Sequence, residues 1–350
     1  MTVSKGEYYP YFDWLRGVLA MVVVLSHQGL IAWEEAANLA VQVFFALSGW
    51  LIGGILLRTA RSDLPRFFFN RAVRIWIPYY VAFGILMSIS VLRDAKTAKW
   101  WEFVAYKATF VYNLFGPNQL AQHRDAMPLR GTGNHFWSVN AEEQFYLLAP
   151  FLLVLITPRV GHNILVWLAL AVAAWFTGVY ASIVFGVFAA VVVGRYGALH
   201  RTNSGRALLV VVAVGSAVGM ALGYDYNRIA PWFAIAVVLL LAMYGRQQAL
   251  GAFVGGVSYP MYLNHWVAAY MLNGAFKAAG LGSEYRPLYH AATLVLGIAV
   301  SVFLYWVVDR QLMARRNRMY TRSRGWAALA AAYCMMAIGV MLGLWLTRAQ

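Results

Sequence analysis

Arg16 and His27 stand eleven residues apart with an apolar run between them. At about 100° per residue, eleven steps end about 20° past three full turns, so on a helix both side chains share one face, about 16 Å apart along the axis. A neutral imidazole accepts a proton and can serve as a general base. The plainer use of the same residues is a snorkelling arginine and a histidine bonded to a neighbouring helix. Arg71 and Arg74 are three apart and face the same way on a helix. Two such guanidinium groups can clamp phosphates bidentately, or simply meet lipid phosphates. Asn140 followed by Glu143 has the spacing of a capping box, and acids suit a helix's first turn. That accounts for one carboxylate, but not for Glu142, Glu143, Gln144 and Tyr146 together ahead of Leu147 and Leu148. Ser258, Tyr259, Tyr262, Asn264 and His265 form a second polar-aromatic cluster, in which His265 reads as a helix-helix hydrogen bonder.

Other chemistries lack their residues. The seven histidines show no i, i+4 pair and no HExxH, so no metal site is expected. The one cysteine, Cys334, excludes an internal disulfide, a CxxC pair and a cysteine zinc site. There is no Walker loop, no GxSxG elbow and no SxxK.

The elements that must position these residues are written in the composition. Of 350 residues, 62% are hydrophobic and only 12% charged, against roughly 25% charged in soluble domains. Mean hydropathy is +0.61. These values exclude a soluble globular fold and a disordered chain. The net charge of +15 is assigned to cytoplasmic loops, with no nucleic-acid partner. Asp13 and Arg16 interrupt what would be a signal-peptide core, so the first apolar segment is expected to be retained.

Eleven apolar runs read as spanning helices: roughly 14–33, 37–57, 75–92, 137–157, 163–180, 182–195, 206–223, 229–245, 257–276, 288–308 and 325–347. The stretch 163–195 is almost uncharged and can be cut in more than one way. The six arginines of 310–324 and the five of 58–74 should both face the cytoplasm. Both can do so only if 100–115 does not cross, so that stretch reads as an interfacial or re-entrant helix. The fold expected is an all-α polytopic transmembrane bundle of about eleven spans, ten core and one C-terminal, with the N-terminus cytoplasmic. Gly49-xxx-Gly53 and Gly215-xxx-Gly219 read as helix packing motifs.

In this order, the segments resemble the acyltransferase-3 family of integral membrane acyltransferases. The resemblance rests on Arg16-x(10)-His27 within Phe12 to Gly17, on Val43 to Ile52, on Arg71-Ala72-Val73-Arg74-Ile75, on Trp137-Ser138 with Glu142 to Tyr146, and on Ser258-Tyr259 through His265-Trp266. It covers about 8–310, leaving 311–350 as a basic loop and an extra C-terminal helix. This chain departs from the family at Gln42, where many members carry an acid, and at Pro260 and Asn264. It ends without an SGNH esterase-like domain, so a stand-alone member is expected.

The resemblance implies transfer of an acyl group, most often acetyl, from cytoplasmic acetyl-CoA or another acyl-CoA to a hydroxyl of a carbohydrate, glycolipid or related acceptor. The location implied is the cytoplasmic (inner) membrane, with the lipid bilayer as partner and no metal. Arg71 and Arg74 would hold the donor's phosphates, with Arg16 as a third partner, and the pantetheine arm would reach along the first span. His27 would be the general base, directly or through an acyl-histidine. Ser48 or nearby N–H groups would stabilise the oxyanion. Glu142 and Glu143 would bind sugar hydroxyls or orient His27, and Trp101, Trp137 and Tyr146 would be sugar platforms. The alternative is a proton-coupled transporter or flippase without acyl chemistry, which also suits intramembrane Arg and His.

Overall fold

The structure, a computed structural model, describes residues 8–117, 120–156, 158–178, 180–281 and 283–348. Among them there is no strand. The principal helices are α1 (Pro10–His27), α2 (Ala36–Leu56), α3 (Leu64–Arg71), α4 (Ile77–Arg93), α5 (Ala98–Ala108), α6 (Trp137–Pro150), α7 (Ile164–Thr177), α8 (Ala181–Tyr196), α9 (Asn203–Ala221), α10 (Tyr226–Leu241), α11 (Ala249–Ala278), α12 (Arg286–Leu304), α13 (Arg310–Met319) and α14 (Arg322–Arg348). Each of the eleven apolar runs overlaps a helix, the first, 14–33, only as far as His27. The uncharged stretch 163–195 is cut at Gly178 (φ +73), which lets α7 end in the left-handed conformation a glycine adopts without strain.

By length and composition, five helical stretches of the described residues are long and apolar enough to cross a membrane: Ala36–Leu56, Arg61–Arg93, Asn203–Ala221, Arg286–Met319 and Arg322–Arg348. Three shorter apolar helices are α7, α8 and α10. Helix α5 has 11 residues, about 16 Å of rise, too short to cross a bilayer core of about 30 Å.

Three stretches widen from α to π geometry: Ala72–Trp76, Phe151–Leu155 and Tyr305–Asp309. The first precedes Pro78 and the second follows Pro150. A proline removes one ladder hydrogen bond and crowds the carbonyl four residues back, and in the first segment the wider turn ahead of Pro78 absorbs the misfit. In α11, which carries Pro260 in its interior, Asn264 Nδ2 donates to the Pro260 carbonyl at 3.0 Å.

The chain forms two compact units, 1–61 with 148–259 and 62–147 with 260–350. In the first, α2 packs on α8 through glycines. A Cβ on Gly49 would lie 2.0 Å from the Ile183 carbonyl oxygen, and one on Gly186 would lie 2.3 Å from that of Ala46. Gly53 faces Val187 and Ala190. Gln42 joins the same interface, accepting from Ser182 Oγ at 2.6 Å, so the amide that stands where many family members have an acid ties α2 to α8. The expectation for the second glycine pair is corrected: Gly219 does meet Ile229, but Gly215 faces open space, because α9 turns most of its surface outward.

In the second unit, α5 and the turn after it supply a cluster of Phe103, Tyr106, Val111, Tyr112 and Met127, against which Trp137, Met336 and Val340 pack. Helix α14 closes over this cluster through small residues: Gly325 presses on Pro65, Gly339 on Thr109 and Gly343 on Phe115. Lys107 is fully buried beneath it, donating from Nζ to Asn134 Oδ1 at 3.1 Å, with its charge over the Tyr112 ring.

The glycine interface yields the first expected outcome. Gly49→Leu should lower the stability of the folded chain by about 1–3 kcal/mol or prevent folding, whereas Gly215→Leu should change it by less than about 0.5 kcal/mol. Thermal unfolding of the two variants in detergent measures the difference.

Candidate functional site

Arg16 and His27 lie on a single unbroken helix, α1, as their spacing requires. The N-terminal half of α1 is locked to the first turns of α11 by side chains of no size. Gly251 lies under the Trp14 indole, Gly255 under Asp13, and Gly17 receives Val254. A Cβ on Gly255 would stand 2.8 Å from the Asp13 Cα, so the two backbones meet here as closely as chains can. That contact fixes Asp13, and Asp13 fixes Arg16, whose Nη1 lies 3.3 Å from its Oδ1. Tyr8 donates to the other carboxylate oxygen of Asp13. Arg16 is therefore held by an acid one turn earlier. His27 is the last residue of α1 and is half-buried. Ser48, half-buried on α2, immediately precedes the tight glycine contact at Gly49.

Arg71, Arg74, Glu142 and Glu143 belong to the second unit. The π segment begins directly after Arg71, and the two arginines take different surroundings. The Arg71 guanidinium lies 3.4 Å from the centre of the Tyr146 ring, a cation–π contact, and its charge acts on Glu143. Arg74 is exposed, and its charge acts on Asp309. The shared face that α-helical spacing predicts for the pair is lost in the wider turn.

Glu143 is only 4% exposed. Its Oε2 accepts from Trp76 Nε1 at 2.7 Å, while Tyr146 donates to Glu142 Oε1. After these contacts Arg71 Nε and Nη2 and Glu143 Oε1 remain buried without a hydrogen-bond partner among the described residues. Buried groups of this kind ordinarily find partners. A guanidinium and a carboxylate with unspent donors and acceptors, side by side, match a ligand that brings hydroxyl, carbonyl or phosphate oxygen.

The capping-box expectation is overturned. Helix α6 begins at Trp137, three residues before Asn140. Asn140 is fully buried, accepts from the Tyr112 backbone N–H at 3.1 Å and donates to the Tyr79 hydroxyl at 3.2 Å. It is a cross-link between segments, and one oxygen of the carboxylate three residues on is taken by an indole. Gln144 pairs with Asn113 through both amide groups, at 3.0 and 2.6 Å. Tyr146 is buried against Arg71 and offers no open platform, Trp137 packs on the α5 cluster, and Trp101 is exposed. His265 bonds within its own helix, to the Tyr262 carbonyl at 2.9 Å, with the His135 ring 4.9 Å away.

Sequence reasoning missed Trp76, Tyr79 and His135. Trp76 lies five residues from Arg71, a spacing that brings neighbours together only on a π turn. Tyr79 reaches Asn140 across a long chain separation, for which no local signal exists. Among the described residues no group of three or more His, Cys, Asp or Glu is gathered as a metal site.

A family model described as an acyltransferase domain matches residues 9–306. The chain is 30% identical over 189 residues to peptidoglycan O-acetyltransferase OatA of Listeria monocytogenes, covering 51% of this chain and 30% of that protein. It is 28% identical over 172 residues to O-acetyltransferase OatA of Staphylococcus aureus, covering 44% of this chain and 26% of that protein. The chain thus spans less than a third of the length of either relative in these matches. No solved structure matches.

Trp76→Phe keeps the ring and deletes the donor, leaving a buried carboxylate oxygen unpaired. It should cost roughly 1–3 kcal/mol of stability. A double-mutant cycle with Glu143→Gln should show coupling of at least about 0.5 kcal/mol; additive unfolding free energies would mean that the indole and the carboxylate do not interact.

Proposed function

The chain belongs to the acyltransferase-3 family, and we propose that it is a membrane O-acyltransferase that moves an acetyl or related acyl group from acyl-CoA to a hydroxyl of a carbohydrate acceptor. The observation that carries this proposal is α1: within the matched residues, one unbroken helix bears Arg16, clamped by Asp13, and His27 at its end. Two relatives named as O-acetyltransferases support acetyl as the group moved, and the name of one supports a peptidoglycan sugar as the kind of acceptor. We take the eleven apolar helices as spans of the cytoplasmic membrane, with the N-terminus inside, because the arginine-rich segments 58–74 and 310–324 then both face the cytoplasm.

His27 removes the proton from the acceptor hydroxyl as its oxygen adds to the thioester carbonyl. The carbon–sulfur bond then breaks, the acyl group stays on the acceptor as an ester, and the leaving thiolate recovers the proton from the imidazolium. Ser48 or a nearby backbone N–H stabilises the oxyanion between these steps. The donor's phosphates are polyanionic and cannot enter hydrocarbon, so they remain at the basic face. Arg74 suits them by its exposure. Arg71, covered by Tyr146, instead holds Glu143 in place, and Glu142 and Glu143 take hydroxyl groups of a polar ligand. The family match favours this chemistry over proton-coupled transport.

The test uses the purified chain in liposomes with radiolabelled acetyl-CoA and a soluble amino-sugar acceptor. His27→Ala should abolish transfer while membrane insertion stays normal, and an inserted variant with unchanged turnover removes His27 from the chemistry. The two arginines should separate. Arg74→Gln is expected to raise the KM for acetyl-CoA about three- to tenfold with kcat retained, and Arg71→Gln is expected to lower kcat. Identical effects from both would restore a shared phosphate clamp.

A further inference from the structure

A second feature of the first unit is untouched by the chemistry above. Where α10 ends at Leu241, the Ala242 carbonyl is left without a helical partner and is taken by the segment before α9. His200 Nε2 and Arg201 Nε each donate to it at 3.2 Å. The Arg201 guanidinium then lies 3.9 Å from the centre of the Tyr244 ring, and Arg206 Nη2 stands 3.0 Å from Met243 Sδ. Gly245 donates from its backbone to the Tyr8 carbonyl at 2.9 Å, which brings the strand of chain after α10 alongside the start of α1.

The result is a pocket of about 520 Å³ lined by Pro10, Tyr11, Arg201, Arg206, Tyr244 and Arg246, among others, with no acidic residue among the described residues of its wall. Among the described residues none of the three arginines makes an ion pair. The N-terminus of α9, capped by Thr202 through the Gly205 N–H, opens beside it, and Arg206 sits in its first turn. The positive end of a helix and three uncompensated guanidinium groups favour an anion. Burial holds the His200 imidazole below its ordinary value, against its hydrogen bond to the Ala242 carbonyl and together with the charges of Arg201 and Arg206.

The same segment borders a second space. Leu199, His200, Gly205 and Leu208 line a chamber of about 370 Å³ that lies between α7, α8, α9 and α10 and is open on one side, and the rest of its wall is apolar, including Trp175 and Trp232. Along 199–206 the residues alternate between the two spaces: Leu199, His200 and Gly205 belong to the chamber, Arg201 and Arg206 to the pocket. A basic, aromatic-edged pocket sharing a wall with a hydrocarbon-lined chamber matches an amphiphile with a phosphate at one end and an acyl chain at the other. A free nucleotide would leave the chamber empty.

We propose that this pair of cavities is a specific site for one anionic glycerophospholipid, its phosphate held by Arg201, Arg206 and Arg246 and one acyl chain in the α7–α10 chamber. The site is independent of the acyl-transfer chemistry and requires only that the chain sit in a bilayer.

The experiment is native mass spectrometry of the full chain in detergent, titrated with phosphatidylglycerol or with phosphatidylcholine. One phosphatidylglycerol should bind at least about tenfold more tightly than phosphatidylcholine. Arg201→Gln with Arg206→Gln and Arg246→Gln should erase that preference, while the triple lysine variant, which keeps the charge and topology, should retain part of it. Val172→Trp, at a partly exposed position on the chamber wall, should weaken phosphatidylglycerol binding with all three arginines intact. Arg246→Gln alone, on an exposed side chain, gives the same reading with a smaller shift, should the triple variant fold poorly. Equal binding of the two lipids, an unchanged preference in the glutamine variants, or an unaffected Val172→Trp overturns the proposal. So does arginine-dependent binding of adenosine diphosphate with arginine-independent binding of phosphatidylglycerol, which would assign the pocket to a free nucleotide.

Discussion

A guanidinium removed from water must be given an anion or the face of an aromatic ring, and much of the polar architecture of this chain follows from meeting that demand twice. Leaving such a charge buried and unpaired costs several kcal/mol. Arg16 is served by Asp13 at 3.3 Å, with Tyr8 steadying the carboxylate. Arg71 is served by the Tyr146 ring and by the charge of Glu143. The two solutions differ in what they leave over. Arg16 is neutralised by a neighbour on its own helix and keeps its head near the start of α1. Arg71 keeps two buried nitrogens with unspent hydrogens, and its carboxylate neighbour keeps a buried oxygen.

Both solutions depend on irregular or very close backbone. Asp13 stands where it does because Gly251 and Gly255 let α11 approach α1 to backbone contact. Arg71 turns inward and Arg74 outward where the helix widens into a π segment ahead of Pro78. Trp76 reaches Glu143 from that same segment. A regular α-helix at 72–76 would carry these side chains to other faces. Of the three π segments, the one at 72–76 carries these polar groups, while the one at 151–155 is wholly apolar.

The family match spans both units, and each unit contributes residues of a different kind. The first holds the arginine–histidine helix and, at one end, the arginine pocket with its apolar chamber. The second holds the buried acid–indole–guanidinium cluster and a fully buried lysine.

The all-helical class, the presence of several membrane-length apolar helices and the shared helix of Arg16 and His27 were legible in the sequence, because hydropathy and a spacing of eleven residues are local properties. So were the close contact at Gly49 and Gly53 and the short α5. The family was legible as well, since its motifs lie in order along the chain. The sequence could not show that Asn140 is a cross-link where its spacing suggests a cap, that Gly215 faces open space, or that Tyr146 is buried beneath a guanidinium. Those outcomes are set by residues far away in the chain, Tyr79 and Tyr112 for Asn140, and Arg71 for Tyr146. Periodicity says which face a side chain leaves from. Only the packed structure decides what meets it there, because partners in a low-dielectric interior are chosen by unmet charge and hydrogen bonds across the whole fold, which no local pattern encodes.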